Sequence, residues 1–183
     1  MSTWIKQVET DKELKLCDFT LASNFKHVAN IIRTPSGVRR KTVITFDPVV
    51  SSAEWDDGGQ WIYMFTIDGF VVKIGGTRTG LKDRTGSYLC GHHTTDRGKS
   101  GKCSVTNAYL YNTLDYYVEK GCIVQMHGFK IPQAVVTISV WGKDTEVVPQ
   151  VYTAYETGAL EAYKKAIGHY PSLSDNSDPS QRE

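Results

Sequence analysis

Two aromatic and β-branched runs joined by Asp68-Gly69 constrain this 183-residue chain more than any other feature. Trp61 to Ile67 has the composition of a strand. Asp-Gly tolerates the positive φ of a two-residue type I′ turn. Phe70 to Ile74 returns as the second strand, and Gly75-Gly76 ends it. Side chains alternate along a strand, so Trp61, Tyr63 and Phe65 share one face, and Ile62, Met64 and Thr66 the other. A two-residue loop pairs Ile67 with Phe70 and, counting back, Tyr63 with Ile74. Lys73 is then a near neighbour of Tyr63. Register and twist decide whether the two share a face. Thr79 is the expected cap of a helix that starts about Gly80, and Arg84 and Tyr88, four apart, project from one side of it. One compact unit therefore gathers a phenol, an ammonium, a guanidinium and a second phenol. Taken singly, each has an ordinary reading: Tyr63 in a core, Lys73 snorkelling, Arg84 in a salt bridge.

Read in order, the motifs are Trp61-Ile62-Tyr63, Lys73-Ile74-Gly75 and Arg84. This arrangement resembles the core of the GIY-YIG nucleases, where one strand ends in Gly-Ile-Tyr, its partner carries Tyr-Ile-Gly and the next helix bears an arginine. Trp61 replaces the first glycine and Lys73 the second tyrosine. Those departures resemble a compact restriction-endonuclease branch with lysine in the second motif. The resemblance is closest from Trp61 to about Asn107 and resumes from Glu156 to Pro171; residues 1–55 carry no matching motif.

The resemblance implies a metal-dependent endonuclease that hydrolyses double-stranded DNA at short sites, in the manner of a type II restriction enzyme, as a homodimer. A phage or mobile-element nuclease of loose specificity and a catalytically silent DNA-binding module of the same fold are the alternatives. By resemblance, Tyr63 activates water with Lys73 favouring its phenolate. Arg84 pairs with the phosphate, and Tyr88 bonds the phosphate or orients the water. Tyr155-Glu156-Thr-Gly-Ala-Leu160, with Pro171 beyond, resembles the family's last motif, in which a helical glutamate holds the cation. Glu156 is thereby the expected ligand of Mg²⁺, with Mn²⁺ able to substitute. The residue type suits the ion, because hard Mg²⁺ takes oxygen ligands and is often held by one or two carboxylates plus water and substrate phosphate. Glu161 is the competitor, turned to another face. A glutamate near a helix start also has a plain reading as a solvated group favoured by the helix dipole. The family's asparagine beyond the helix has no assigned counterpart, although Asn176 lies near.

The remaining chain supports an α+β class: a small antiparallel sheet flanked by helices, with an N-terminal helical extension. Ile5, Val8, Leu14 and Leu16 among alternating charges suggest a short helix in residues 1–20. Phe25, Val28, Ala29 and Ile32 suggest another across residues 21–32. Strands are expected over Thr42–Phe46, Cys122–Phe129 and Val135–Trp141. Helices are expected from Ser104, a cap, to a stop at Gly121, and from about Val151 to His169. No second-domain boundary is visible, so residues 1–183 read as one domain, with 172–183 a disordered tail.

With 21 basic and 20 acidic residues the chain is no polyelectrolyte binder, which leaves room for local basic surfaces. Two such clusters are candidate DNA contacts: Arg39, Arg40 and Lys41, and the glycine-rich loop with Arg97, Lys99 and Lys102. Four irregularly spaced cysteines make no disulfide framework. The first residues lack the apolar core of a signal peptide, and no apolar run approaches a membrane span of about 20 residues. An intracellular, cytoplasmic protein is expected. Cys90, His92, His93 and Cys103 lie close in sequence, but their spacing fits no standard zinc pattern. The stretch Gly75 to Lys82 lacks the Gly-Lys-Ser/Thr of a phosphate loop.

Overall fold

A computed structural model describes residues 4–36, 42–91 and 104–174. Five antiparallel strands form the main sheet: β1 (Lys26–Arg33), β2 (Ile44–Pro48), β3 (Trp61–Ile67), β4 (Phe70–Thr77) and β5 (Val124–Lys130), in the order β2-β1-β5-β3-β4. Two further strands, β6 (Val136–Val140) and β7 (Lys143–Val147), form a separate hairpin. The helices are α1 (Ser52–Trp55), α2 (Leu81–Leu89), α3 (Val105–Glu119) and α4 (Tyr152–Ile167). The α+β class with a flanked antiparallel sheet is therefore as expected.

β3 is the axis of the core, with all seven residues buried. Trp61, Tyr63, Phe65 and Ile67 pack on the same side as Leu81, Tyr88, Leu110 and Leu114 of α2 and α3. Ile62 and Met64 pack on the other side against Ala159 and Tyr163 of α4 and against Phe19. A strand apolar on both faces needs cover on both faces, and the two helical layers supply it.

The turn at Asp68-Gly69 is as expected, with φ of 50° and 83°. Ile67 pairs with Phe70, but a bulge between Phe65 and Thr66 shifts the register by one. Tyr63 therefore lies opposite Gly75, not Ile74, and Lys73 opposite Phe65. An extra residue on one strand does this to every pair beyond it. β4 also runs through Gly75-Gly76 to Thr77, three residues past the expected last residue, Ile74.

Residues 4–25, at the start of the N-terminal extension, hold no α-helix, only three 3₁₀ turns at Thr10–Lys12, Leu16–Asp18 and Ala22–Asn24. The segment expected as a helix over 21–32 is instead strand β1, paired with β2 and β5. Its pairing with β5 shifts between His27 and Ala29. That shift buries the adjacent Val28 and Ala29 together, which mimics helical spacing.

The extension is tied in by Glu13, a buried carboxylate that accepts from the Tyr163 hydroxyl and from the backbone and hydroxyl of Ser172. Residues 172–174, assigned from sequence to the tail, lie against β4: Leu173 is buried and its N–H donates to the Val72 carbonyl at 2.8 Å.

His127 of β5 is buried 5.4 Å from the His27 ring. Burial lowers its pKa from 6.5 to about 4, and His27 adds to the shift. A depressed folded-state value means that stability is fully present above pH 6.5 and is lost as pH falls towards 4. The melting temperature is expected to drop across this window, and a His127→Phe variant should show a smaller drop.

Candidate active site

Tyr63, Lys73, Arg84 and Glu156 line one cavity of about 550 Å³, together with Gly75, Gly76, Tyr152 and Ser104, Thr106 and Asn107 at the start of α3. Three elements bring them together. The β3–β4 hairpin carries Tyr63 and Lys73, α2 on one side carries Arg84, and α4 on the other carries Glu156.

Arg84 fixes the phenols. Its Nε donates to the Tyr63 hydroxyl at 2.9 Å and its Nη2 to the Tyr88 hydroxyl at 2.9 Å. The two hydroxyls also bond each other, and the guanidinium carbon lies 4.4 Å from the centre of the Tyr88 ring. Tyr88 is fully buried behind the cavity wall, so it braces Arg84 and Tyr63. Thr79 does not cap α2. Gly80 is the N-cap at φ 89°, with no side-chain cap bond. A side chain there would meet the Asp57 carbonyl oxygen at 2.2 Å.

Burial raises the Tyr63 phenol above its ordinary pKa; Arg84 and the bond from Tyr88 pull it back, and Glu156 raises it. Burial likewise pulls Lys73 down to about 8, reinforced by Arg84 and opposed by Glu156. The Lys73 ammonium donates to the Leu173 carbonyl at 2.9 Å, so the cation bonded to Tyr63 is Arg84. Burial holds the Glu156 carboxyl above the usual glutamate value, while Lys73, Arg84 and the Gly76 backbone lower it.

The paired glycines of β4 are required by space. A Cβ on Gly75 would stand 2.4 Å from the Tyr63 hydroxyl, and one on Gly76 2.9 Å from a Glu156 carboxylate oxygen. The sequence shows them only as a strand end; their role follows from the shifted register, which sets Gly75 opposite Tyr63. Gln60 is equally hidden in the sequence. Its side chain accepts from the Val151 and Tyr152 N–H groups at 2.8 and 3.1 Å and donates to the Pro149 carbonyl at 2.9 Å, capping the helix that bears Glu156.

Glu161 lies outside the cavity and accepts from the Tyr170 hydroxyl. No group of three or more His, Cys, Asp or Glu side chains is placed to hold a metal ion among the described residues. A hard cation that keeps its waters and takes one carboxylate fits the donor set at Glu156. Arg39, Arg40, Lys41, Arg97, Lys99 and Lys102 lie outside the described residues, as do His92, His93, Cys103 and Asn176. No helix of the described residues is long and apolar enough to cross a membrane.

No family model matches the chain, and no curated protein does. Among solved structures, the fold is similar to that of restriction endonuclease HPY188I in complex with product DNA. The TM-score is 0.59 at 23% identity over 89% of this chain and 87% of that one. It is also similar to a mutant of EndoII of bacteriophage T4, with a TM-score of 0.52 at 11% identity over 85% of this chain and 97% of that one. At these identities the likeness is one of fold.

Proposed function

We propose that this cavity hydrolyses phosphodiester bonds in double-stranded DNA, and that the chain is a GIY-YIG endonuclease acting as a homodimer on short sites. The observation that carries the reading is the Tyr63 hydroxyl bonded to Arg84 in a polar cavity that also contains Glu156. Two nucleases of the same fold support it, one of them described as a complex with product DNA.

In this reading the scissile phosphate enters the cavity and Arg84 receives it with the guanidinium N–H groups not engaged by the phenols. That charge-assisted contact strengthens as negative charge grows in the transition state. Tyr63 takes the proton of the attacking water. A phenol of ordinary pKa near 10 is a weak base at neutral pH, and burial raises this one further, so the Arg84 bond is needed to favour the phenolate. Tyr88 holds both groups in register. Glu156 would hold the divalent cation, Mg²⁺ or Mn²⁺, which supplies Lewis-acid stabilisation of the leaving oxygen when bound.

The test is incubation of the purified chain with supercoiled plasmid and Mg²⁺, with and without chelator, followed by sequencing of the ends. Chelator-sensitive cutting at one short sequence is expected. No cutting with any divalent ion would overturn the reading, and a smear would favour a phage or mobile-element nuclease of loose specificity. Gly75→Ala should lower the cleavage rate by about 100-fold, the usual scale for a reacting group displaced by about 1 Å. A circular dichroism spectrum of the variant should show the fold retained.

A further inference from the structure

We infer that the β6–β7 hairpin is an arm that binds a second copy of this chain, its tip residue Trp141 entering an apolar cavity at the root of the partner copy's arm. Both strands of the hairpin are exposed nearly throughout. Isolated two-stranded hairpins are marginal in water, yet this one exposes Val136, Ile138 and Val140, and Trp141 is 99% accessible. Trp141 also has φ 54°, in the left-handed region that bulky residues avoid. Backbone strain and an exposed indole are two separate costs at one residue, and such outliers mark contact sites.

The arm is held firmly at its base. The Gln60 side chain bonds Pro149, Val151 and Tyr152, and the Gln60 backbone carbonyl accepts from the Ile131 N–H. The hairpin faces differ in chemistry: pairing sets Val136 opposite Val147 and Ile138 opposite Thr145, while Thr137 faces Glu146 and Ser139 faces Asp144. One face is apolar except for Thr145 and for Lys143 at the tip, opposite Val140, and the other carries two acids. With Lys143 as the single cation of both strands, the arm is a poor match for nucleic-acid phosphates.

The complementary surface is on the same molecule. A cavity of about 290 Å³ is lined by Leu21, Phe25, Phe129, Tyr155 and Ala159 among others. That is below the usual size of a small-molecule site and suits one aromatic side chain. Phe129 and Tyr155 flank the two feet of the arm, which follow β5 and precede α4. A five-residue strand spans about 17 Å, so the tip of each arm stands that far from its own cavity. Two arms side by side and antiparallel about a two-fold axis bring each Trp141 to the other's root and face the apolar rows together. This is the self-complementary contact a symmetric dimer requires. The exposed apolar side chains of the arm bring roughly 600 Å² from each copy, enough with the cavity walls for a standard interface.

The inference rests on the two-copy part of the proposed function and not on its chemistry. Its test is the mass of the full chain by light scattering at micromolar concentration, for wild type, Trp141→Ser, Asn24→Trp and an equimolar mixture of the two variants. Asn24 is exposed and on the cavity rim, so a tryptophan there plugs the site without entering the core. Wild type should be a dimer, each variant should dissociate about 30-fold more readily or beyond, and the mixture, with one intact insertion, should associate more tightly than either alone. A Trp141→Ser protein that stays dimeric would overturn the arm contact and leave the two-copy reading standing. Monomeric variants whose mixture gains nothing would overturn the pairing of Trp141 with this cavity. A monomeric wild type would overturn both, leaving plasmid cleavage to judge the chemistry. A dimeric Trp141→Ser that loses DNA affinity would assign the arm to nucleic acid instead.

Discussion

Arg84→Ala is expected to lower single-turnover plasmid cleavage by about 10³-fold or more, in line with the loss of a half-buried donor that stabilises transition-state charge. The effect exceeds that of a simple phosphate contact because the same guanidinium holds both phenolic hydroxyls at 2.9 Å. Lysine at this position should not restore activity. An ammonium is a point charge and cannot reproduce the planar fork that spans Tyr63, Tyr88 and a phosphate at once. Tyr63→Phe should cost a similar factor, and the double variant should lose far less than the product of the two, because groups that act as a unit are not additive. Retention of activity within tenfold in Arg84→Ala would remove this side chain from the chemistry.

Glu156→Gln is expected to combine a cleavage loss of about 10³-fold with a higher melting temperature in metal-free buffer. The sign follows from the environment. Burial holds this carboxyl above the usual glutamate range, so ionisation at neutral pH weakens the folded state. That penalty grows as pH rises through the folded-state value, and glutamine removes it. Mg²⁺ should raise the melting temperature of the wild type, by linkage of ion binding to folding, and leave that of the variant unchanged. An equal Mg²⁺ effect on both proteins would place the ion elsewhere.

The parts of the fold legible in the sequence are those set by local chemistry. Asp68-Gly69 fixes its own turn, and Ser104 caps α3 by accepting from the Asn107 N–H. The β1 segment misleads because its pairing shift puts Val28 and Ala29 on the buried side together, and its partner β5 is distant in sequence. Long-range pairing of this kind overrides a local period. β7 escapes notice because Lys143–Val147 faces no core and so has no alternation to display. In the site, Tyr63, Lys73, Arg84 and Glu156 are brought together as the motif order suggests. The bulge that sets Tyr63 over Gly75, and the Arg84 bond that replaces Lys73 as the cation on Tyr63, are tertiary facts.

The placement of Tyr63 on a strand buried along its whole length has a consequence for how the protein breathes. Backbone amides in such a strand exchange with solvent deuterium only when the entire molecule opens. Tyr63 is therefore anchored in the slowest-exchanging layer. On heating, activity should vanish in step with global unfolding, with no earlier inactive stage.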